Sequence, residues 1–545
     1  MEEVKVSGST HKGTQPQRRG GGWITVPFII ASSSLLTIGN AGWVSNLIVY
    51  LIEKFQVKRI EAAQVYSTVN GCTGLFPILG AIMADSFLGC FSVVWISSSV
   101  AFLGTVLMTL TATIPSLKPQ PCEPKSTTCP APSRAEFAVL YAGIALASLG
   151  LGGMRFTLTT MGANQLQKAK ARGTFFNCYF FSTYASGIVA ATALVYVEDN
   201  VGWTWGFILC LAANGLGLAI FLLGSRFYCL VKPQGSPFTS LARVFVASFR
   251  KRKLLLSEKS GDYLWSQVEV PKVGAEAPTQ SFRILNRAAL ITEGEVGPDG
   301  SIKKPWKLCT VQQVEDLKAL LKILPLWSTS IFLGTPIGVL MSLLVVQALT
   351  MDRHLGPHFQ IPAGSMLVFD AAFLCIGIAL LDRLITPTWR KLTGRSATLL
   401  QLIGVSHMLI ALSMAVAALV ELKRRNVAWS HHLQDKPGSE VPMSVLWLVP
   451  QLAVVGFGGA IQLPAQVELY YREFPNSLKS LSTAMIGLLM GISFYLSTAI
   501  ISCVKRVTGW LPDNINRGKV DNVFWMLVVI GVLNFGYYLE CAKSY

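Results

Sequence analysis

About twelve apolar runs, most of them roughly 18 to 25 residues long, divide this chain, and a soluble core could not enclose that much continuous hydrocarbon. They lie near 26 to 52, 62 to 84, 91 to 114, 137 to 162, 174 to 197, 203 to 225, 323 to 349, 362 to 381, 396 to 420, 442 to 470, 480 to 502 and 522 to 540. A bilayer span has to satisfy its own backbone hydrogen bonds, so each run is expected to be an α-helix. Composition agrees with this reading. Of 545 residues, 52% are hydrophobic and 14% charged, where soluble domains carry about 25% charge. The expected fold class is an all-α membrane protein with twelve transmembrane helices.

Six runs precede a long polar connection and six follow it, which divides the chain into two six-helix halves. The expected parts are a tail at 1–22, a first half at 23–226, a central loop at 227–322, a second half at 323–540 and a short tail at 541–545. This plan resembles the major facilitator fold, in which two rigid halves rock about a central site. Within the loop, Phe238 to Leu256 mixes apolar positions with Arg250-Lys251-Arg252-Lys253. That segment reads either as an amphipathic helix on the anionic inner leaflet or as a solvated basic loop. Asp262 to Lys304, rich in Gly, Pro and charge, reads as an irregular linker.

The net charge of +17 fits a positive-inside bias better than nucleic-acid binding. Lys168, Lys170 and Arg172, then the run at 250–253, then Arg390, Lys391 and Arg395 fall in alternate loops, while Glu198 and Asp199 fall opposite. Lys423, Arg424 and Arg425 are an exception. Both termini are therefore expected in the cytosol, and the polar segment Met1 to Gly22 does not resemble a secretory signal. Cys122 and Cys129 share the expected outer loop, where they form either a disulfide or two free thiols. The chain shows no metal-ligand spacing, phosphate loop or Ser-His-Asp order, so neither an enzyme nor a cofactor is expected.

Arg155 carries the most chemistry. It stands in the glycine-rich fourth run, with no acidic residue nearby in sequence. A cation in hydrocarbon costs several kcal/mol, so such residues usually face a cavity and meet something negative. Asp370 and Glu468 are the other span-embedded charges of interest. Asp370 would serve as a proton carrier or hydrogen-bond to a neighbouring helix, and Glu468 as a cytosolic gate or structural ion pair. Neither matches the expected depth of Arg155.

Several stretches together resemble the proton-dependent oligopeptide transporter family in its plant nitrate and peptide transporter branch. They are Gly22-Trp23, Asn46 to Leu51, Ala84-Asp85-Ser86-Phe87-Leu88-Gly89, Phe175-Phe176-Asn177, Asp199 to Trp203, Leu308 to Lys318, Leu381-Asp382-Arg383 and Ala417 to Lys423. Asp85, Gly89, Asp382 and Arg383 would be structural by this resemblance. The departures concern charge. Where the family carries a Glu-x-x-Glu-Arg motif on the first helix, this chain has Ser33, Leu36 and Thr37. Where the family has a lysine on the fourth helix it has Arg155, and where the tenth helix holds that lysine's glutamate it has Gly459. Ile337 stands where nitrate-binding relatives can carry histidine, and Cys90 replaces a basic residue.

The combination resembles the nitrate excretion transporter subgroup, which implies a small anion, nitrate or chloride, moving across the plasma membrane. In that reading Arg155, Ser33, Ser34 and Thr37 bind the anion, because an Arg fork and hydroxyl donors suit planar oxygens. The hydroxyls would otherwise bond carbonyls of their own helix. With the family's usual carboxylates absent, outward flux is expected to be passive or weakly coupled to protons. The alternative is a proton-coupled importer of nitrate or of a larger organic solute such as a glucosinolate, hormone conjugate or peptide. The expected partners are the anion and the lipid bilayer, with no nucleic acid.

Overall fold

The structure is a computed structural model that describes residues 21–119, 131–166, 168–230, 237–257, 259–265, 278–297, 301–395, 397–436, 439–473 and 479–545. Cys122 and Cys129 lie outside the described residues, as do the side chains of Asp85 and Asp382.

The first half holds α1 (Val26–Ser45), α2 (Arg59–Met83), α3 (Gly89–Thr113), α4 (Arg134–Asn164), α5 (Ala169–Val189) and α6 (Trp203–Leu223). The central connection carries α7 (Pro237–Arg250). The second half holds α8 (Val311–Ala348), α9 (Leu367–Leu380), α10 (Leu399–Ser430), α11 (Val449–Glu473), α12 (Lys479–Val507) and α13 (Val520–Ser544). Eleven apolar helical stretches reach spanning length among the described residues, and one of them, Arg59–Thr113, runs for 55 residues. At 1.5 Å per residue that is about 80 Å, more than twice a hydrocarbon core. It is two spans, α2 and α3. They turn through the π-helical segment Ala84–Leu88 and Gly89, whose φ of 78° suits glycine. The total is the expected twelve.

Three helix starts are set locally by capping boxes, in which a hydroxyl and a Glu or Gln three residues on satisfy each other's backbone amides. These are Ser133 with Glu136, Thr310 with Gln313 and Thr398 with Gln401. A short parallel pair, β1 (Met351–Asp352) and β2 (Val441–Ser444), links the connections after α8 and before α11.

Small residues let the helices touch. A Cβ on Gly104 of α3 would lie 2.3 Å from Ala147 N of α4, and one on Gly150 would lie 2.3 Å from Ala101 N. In α1, Ser32 donates to Gly217 O of α6 at 2.8 Å, and Asn40 donates to Asn214, which donates to Thr105 of α3. The two halves meet along α2 and α12, where a Cβ on Gly74 would lie 2.5 Å from Gly491 Cα. Three buried hydroxyls from α2, α8 and α12, on Ser67, Ser342 and Ser497, join that seam.

At the end opposite the central connection, the outer end in the expected orientation, the halves are tied together. Lys58 pairs with Asp513 at 3.1 Å and Lys505 with Glu61 at 3.4 Å, while Gly364 packs on Ser45 O and Asn46. The exceptional basic run is explained here. Arg424 and Glu421 form a fully buried pair, Arg425 pairs with Asp521 at 2.6 Å, and Lys423 lies over the Trp447 ring. Two of the three cations are thus neutralised within the fold, so they say little about topology.

Two expectations need correction. The second half begins with α8 at Val311 rather than near 323, because the Thr310 cap starts the helix before the apolar run. Nor is the central connection simply an irregular linker. Tyr263, Leu285, Ala288, Ala289 and Leu290 are buried with Leu241, Val244 and Ala247 of α7 in a hydrophobic cluster on the inner end of α8. The Lys251 ammonium is buried there, 2.6 Å from Glu295 and from Leu290 O.

Candidate functional site

Arg155 lies nine residues before the end of α4, about 14 Å along the helix from that end. Its neighbours in sequence are fixed by contact. A Cβ on Gly152 would lie 2.6 Å from Phe76 Cβ of α2, one on Gly153 2.4 Å from Ser97 Oγ of α3, and Met154 accepts from Ser98. With those positions committed to α2 and α3, the Arg155 side chain projects elsewhere and is exposed. It reaches the electrostatic neighbourhood of Tyr184 on α5, a residue that is also within reach of Cys375 and Asp370 on α9. Tyr184 is itself 38% exposed.

Asp370 sits in the first turn of α9. Its carbonyl oxygen lies 2.8 Å from where a Cβ of Gly456 on α11 would be, so the glycines of α11 bring α9 in close. Its charge also reaches Tyr66 of α2. Asp370 thus lies within electrostatic reach of Tyr66 and Tyr184, and Arg155 within that of Tyr184. The depth argument from sequence set Asp370 apart from Arg155. Depth along a helix says nothing about lateral reach, and Tyr184 is within electrostatic reach of both.

The hydroxyls of α1 divide three ways. Ser34 shares a hydrogen bond with Ser182 of α5, Thr37 is half-buried, and Ser33 is 4% exposed. Leu36 packs against Gly217 of α6. Glu468, near the end of α11, is exposed, while a chain of buried amides runs along the same helix. Gln462 bonds Ser330, Ser406 and Gln466, and Gln466 donates to Tyr470 at 2.7 Å. Sequence reading missed this buried amide chain, although three polar side chains at a spacing of four (Gln462, Gln466, Tyr470) in an apolar helix were a visible signal. His407 is buried, its Nδ1 2.9 Å from Ile403 O and its ring stacked on Tyr538. Gly89 turns the backbone between α2 and α3, and Arg383 is exposed in the π-helical turn Leu381–Ile385. Among the described residues, no group of three His, Cys, Asp or Glu side chains could hold a metal.

The POT family sequence profile matches residues 91–517. The chain belongs to the POT family. Within it the chain is a member of the NRT1/PTR branch. Two Arabidopsis thaliana proteins, NRT1/PTR FAMILY 2.7 and NRT1/PTR FAMILY 2.6, are 50% and 48% identical to it, each over 97% of this chain and 93% of the relative. The fold matches that of an auto-inhibited POT family peptide transporter, with a TM-score of 0.72 at 15% identity, covering 96% of this chain and 97% of the other. It also matches the POT family transporter PepTSo, with a TM-score of 0.69 at 15% identity over 96% and 98%. The chain is a membrane transporter, not an enzyme. Among the described residues, a Cβ on Gly459 of α11 would meet Leu374 of α9, at 3.4 Å. Ile337 lies in the apolar seam of α8.

Proposed function

We propose that this POT-family chain carries small monovalent inorganic anions, nitrate foremost and chloride second, outward across the plasma membrane by alternating access. The reading rests on Arg155, an exposed guanidinium in the glycine-rich apolar stretch 140–160 of α4. Its planar fork suits two oxygens of nitrate. At the position where the family places a carboxylate, Gly459 offers no charge that would hold a peptide's ammonium. Ser34 and Thr37 serve as secondary donors, while Ser33, being buried, does not. Flux is passive or weakly coupled to protons, and a negative-inside potential drives it outward with about 2.3 kcal/mol per 100 mV. The subgroup is that of the nitrate excretion transporters. The termini are cytosolic, Asp85 and Asp382 are structural, and Glu468 gates the inner end. Phe245 and Phe249, exposed beside Arg250, Arg252 and Lys253, meet the anionic inner leaflet.

One observation favours a second reading. Asp370 supplies a carboxylate within electrostatic reach of Tyr184, as Arg155 is, and a zwitterionic solute or a proton-coupled importer could use it. Tracer flux in proteoliposomes separates the two. Nitrate and chloride flux that is abolished in Arg155→Ala, partly kept in Arg155→Lys and not competed by dipeptide supports the anion carrier. Undiminished nitrate flux in Arg155→Ala refutes it.

A further inference from the structure

Within the basic run 423–425, Lys423 is the cation that the fold pairs with no carboxylate among the described residues. Arg424 and Arg425 are paired with Glu421 and Asp521, whereas the Lys423 ammonium lies 3.3 Å from the centroid of the Trp447 ring. Lys423 is exposed, and it lines a groove of about 490 Å³ on α10 together with Leu419, Leu422, Asn426, Val427 and Ser430. Their spacing of three and four puts these six on one helix face. The turns before the groove identify what that face meets. Met408 is 58% exposed, Leu412 52% and Leu419 56%, an apolar stripe whose natural solvent is hydrocarbon. The groove therefore opens to lipid. Its depth follows from length. Leu399 to Val420 holds no Asp, Glu, Lys or Arg and rises about 33 Å, a hydrocarbon thickness. Lys423, Asn426 and Ser430 come next on α10, at headgroup level. Trp447, 45% exposed, stands at the same level, where indoles commonly anchor.

We propose that this groove binds one phospholipid with an anionic, hydroxyl-bearing headgroup, such as phosphatidylglycerol, its phosphate on Lys423 and Asn426 and an acyl chain along Leu419 and Leu412. Each part of the lipid has its counterpart in the groove. The Trp447 ring holds the ammonium in place without neutralising it, so the charge is left for a phosphate oxygen. The Asn426 amide, one turn on, supplies a neutral N–H donor. Ser430 spends its hydroxyl hydrogen on Val427 O at 2.9 Å, and its oxygen is left to accept from a headgroup hydroxyl. A phosphocholine headgroup would bring a quaternary ammonium beside Lys423 and no hydroxyl, so it fits worse on both counts. A sterol would bring a hydroxyl but no charge. The site is independent of which solute is carried. It adjoins the buried Glu421–Arg424 pair, so an occupied groove braces the same turn of α10.

The test is photolabelling of the purified full-length protein with a phosphatidylglycerol that carries a diazirine in its acyl chain, the labelled peptides being read by mass spectrometry. Peptide resolution matters, because the basic face at Arg250, Arg252 and Lys253 also attracts anionic lipid. Residues 405–430 should be labelled, and unlabelled phosphatidylglycerol should compete where equal amounts of phosphatidylcholine or a sterol do not. Lys423→Gln should lower this labelling on the order of tenfold, Lys423→Arg should restore it, and Asn426→Ala should lower it several-fold. Labelling of the central connection should stay at its native level in all three. Both residues are exposed, so the lipid-free variants should melt with the native chain. Competition by phosphatidylcholine or sterol as strong as by phosphatidylglycerol overturns the proposal. So does native labelling of 405–430 in both Lys423→Gln and Asn426→Ala, or a loss in Lys423→Gln that Lys423→Arg fails to restore.

Discussion

Arg424 Nη2 lies 2.6 Å from Glu421 Oε1, with both side chains fully buried one helical turn apart on α10. Gln347 of α8 donates to the same carboxylate at 2.7 Å, and the guanidinium also reaches Asn516 at 2.6 Å and Thr350 at 3.1 Å. The cluster ties α8 and α10 to the connection ahead of α13. Removing one partner leaves a buried charge, at a cost of about 3–5 kcal/mol, whereas replacing both by apolar groups is often neutral. Arg424→Ala should therefore fall sharply in thermal stability in detergent, and the double replacement Arg424→Met with Glu421→Leu should recover most of it. If the single variant melts like the native chain, the brace is not structural.

The α2–α12 seam predicts a contrast between glycines. Gly74→Ala would place a Cβ 2.5 Å from Gly491 backbone, which only separation of the helices can relieve. Overpacking of this kind costs about 1–3 kcal/mol, and because the seam joins the halves, flux should fall as well. Gly536 has nothing within 4 Å of its would-be Cβ, so Gly536→Ala should be neutral or stabilise by up to about 1 kcal/mol. Equal melting losses in the two variants would count against the seam.

Gly153→Ala tests how Arg155 is held. The added methyl would lie 2.4 Å from Ser97 Oγ and push α4 away from α3 without changing any charge. Anion affinity should weaken several-fold, and Ser97→Ala should restore part of it, as read from half-saturation of flux. Native affinity in Gly153→Ala would mean that the guanidinium tolerates displacement of its helix.

The central connection should respond to pH. Burial alone would raise the Glu295 carboxyl, yet the hydrogen bonds from Lys251 and Thr292, together with the Lys251 charge, hold it below its ordinary value. A depressed carboxyl contributes stability above the unfolded value of about 4.3, lost as pH falls through the folded value. Proteolysis of the connection should thus accelerate as pH falls from about 5 toward 3. In Lys251→Met, Glu295 is buried without its cation, so the connection should be cut faster at pH 7 and protected on acidification. A variant with the native pH profile would remove this pair from the argument.

The twelve spans were legible because hydrocarbon thickness imposes their length, and the crowding of glycines in α4 announced close helix contacts. Arg155 was legible as a cation out of place. Its relation to Asp370 was not, since rise per residue gives depth but not which faces meet across two halves. The role of Arg424 was hidden for a related reason. Its partners Gln347, Thr350 and Asn516 are distant in sequence, so the run at 423–425 looked like surface charge. The core of the central connection escaped notice because Tyr263, Leu285, Ala288 and Leu290 follow no helical or strand period long enough to stand out from polar neighbours.

The cluster that holds the central connection also includes Tyr470 of α11 and Met485 and Leu489 of α12, and it sits on the inner end of α8. Mechanically, then, the connection is cargo of the second half. When the halves rock, it should swing as one body with α8, whose 38 residues run unbroken from that cluster to the opposite end. Anything that grips the connection from the cytosol would have its hand on the second half of the carrier.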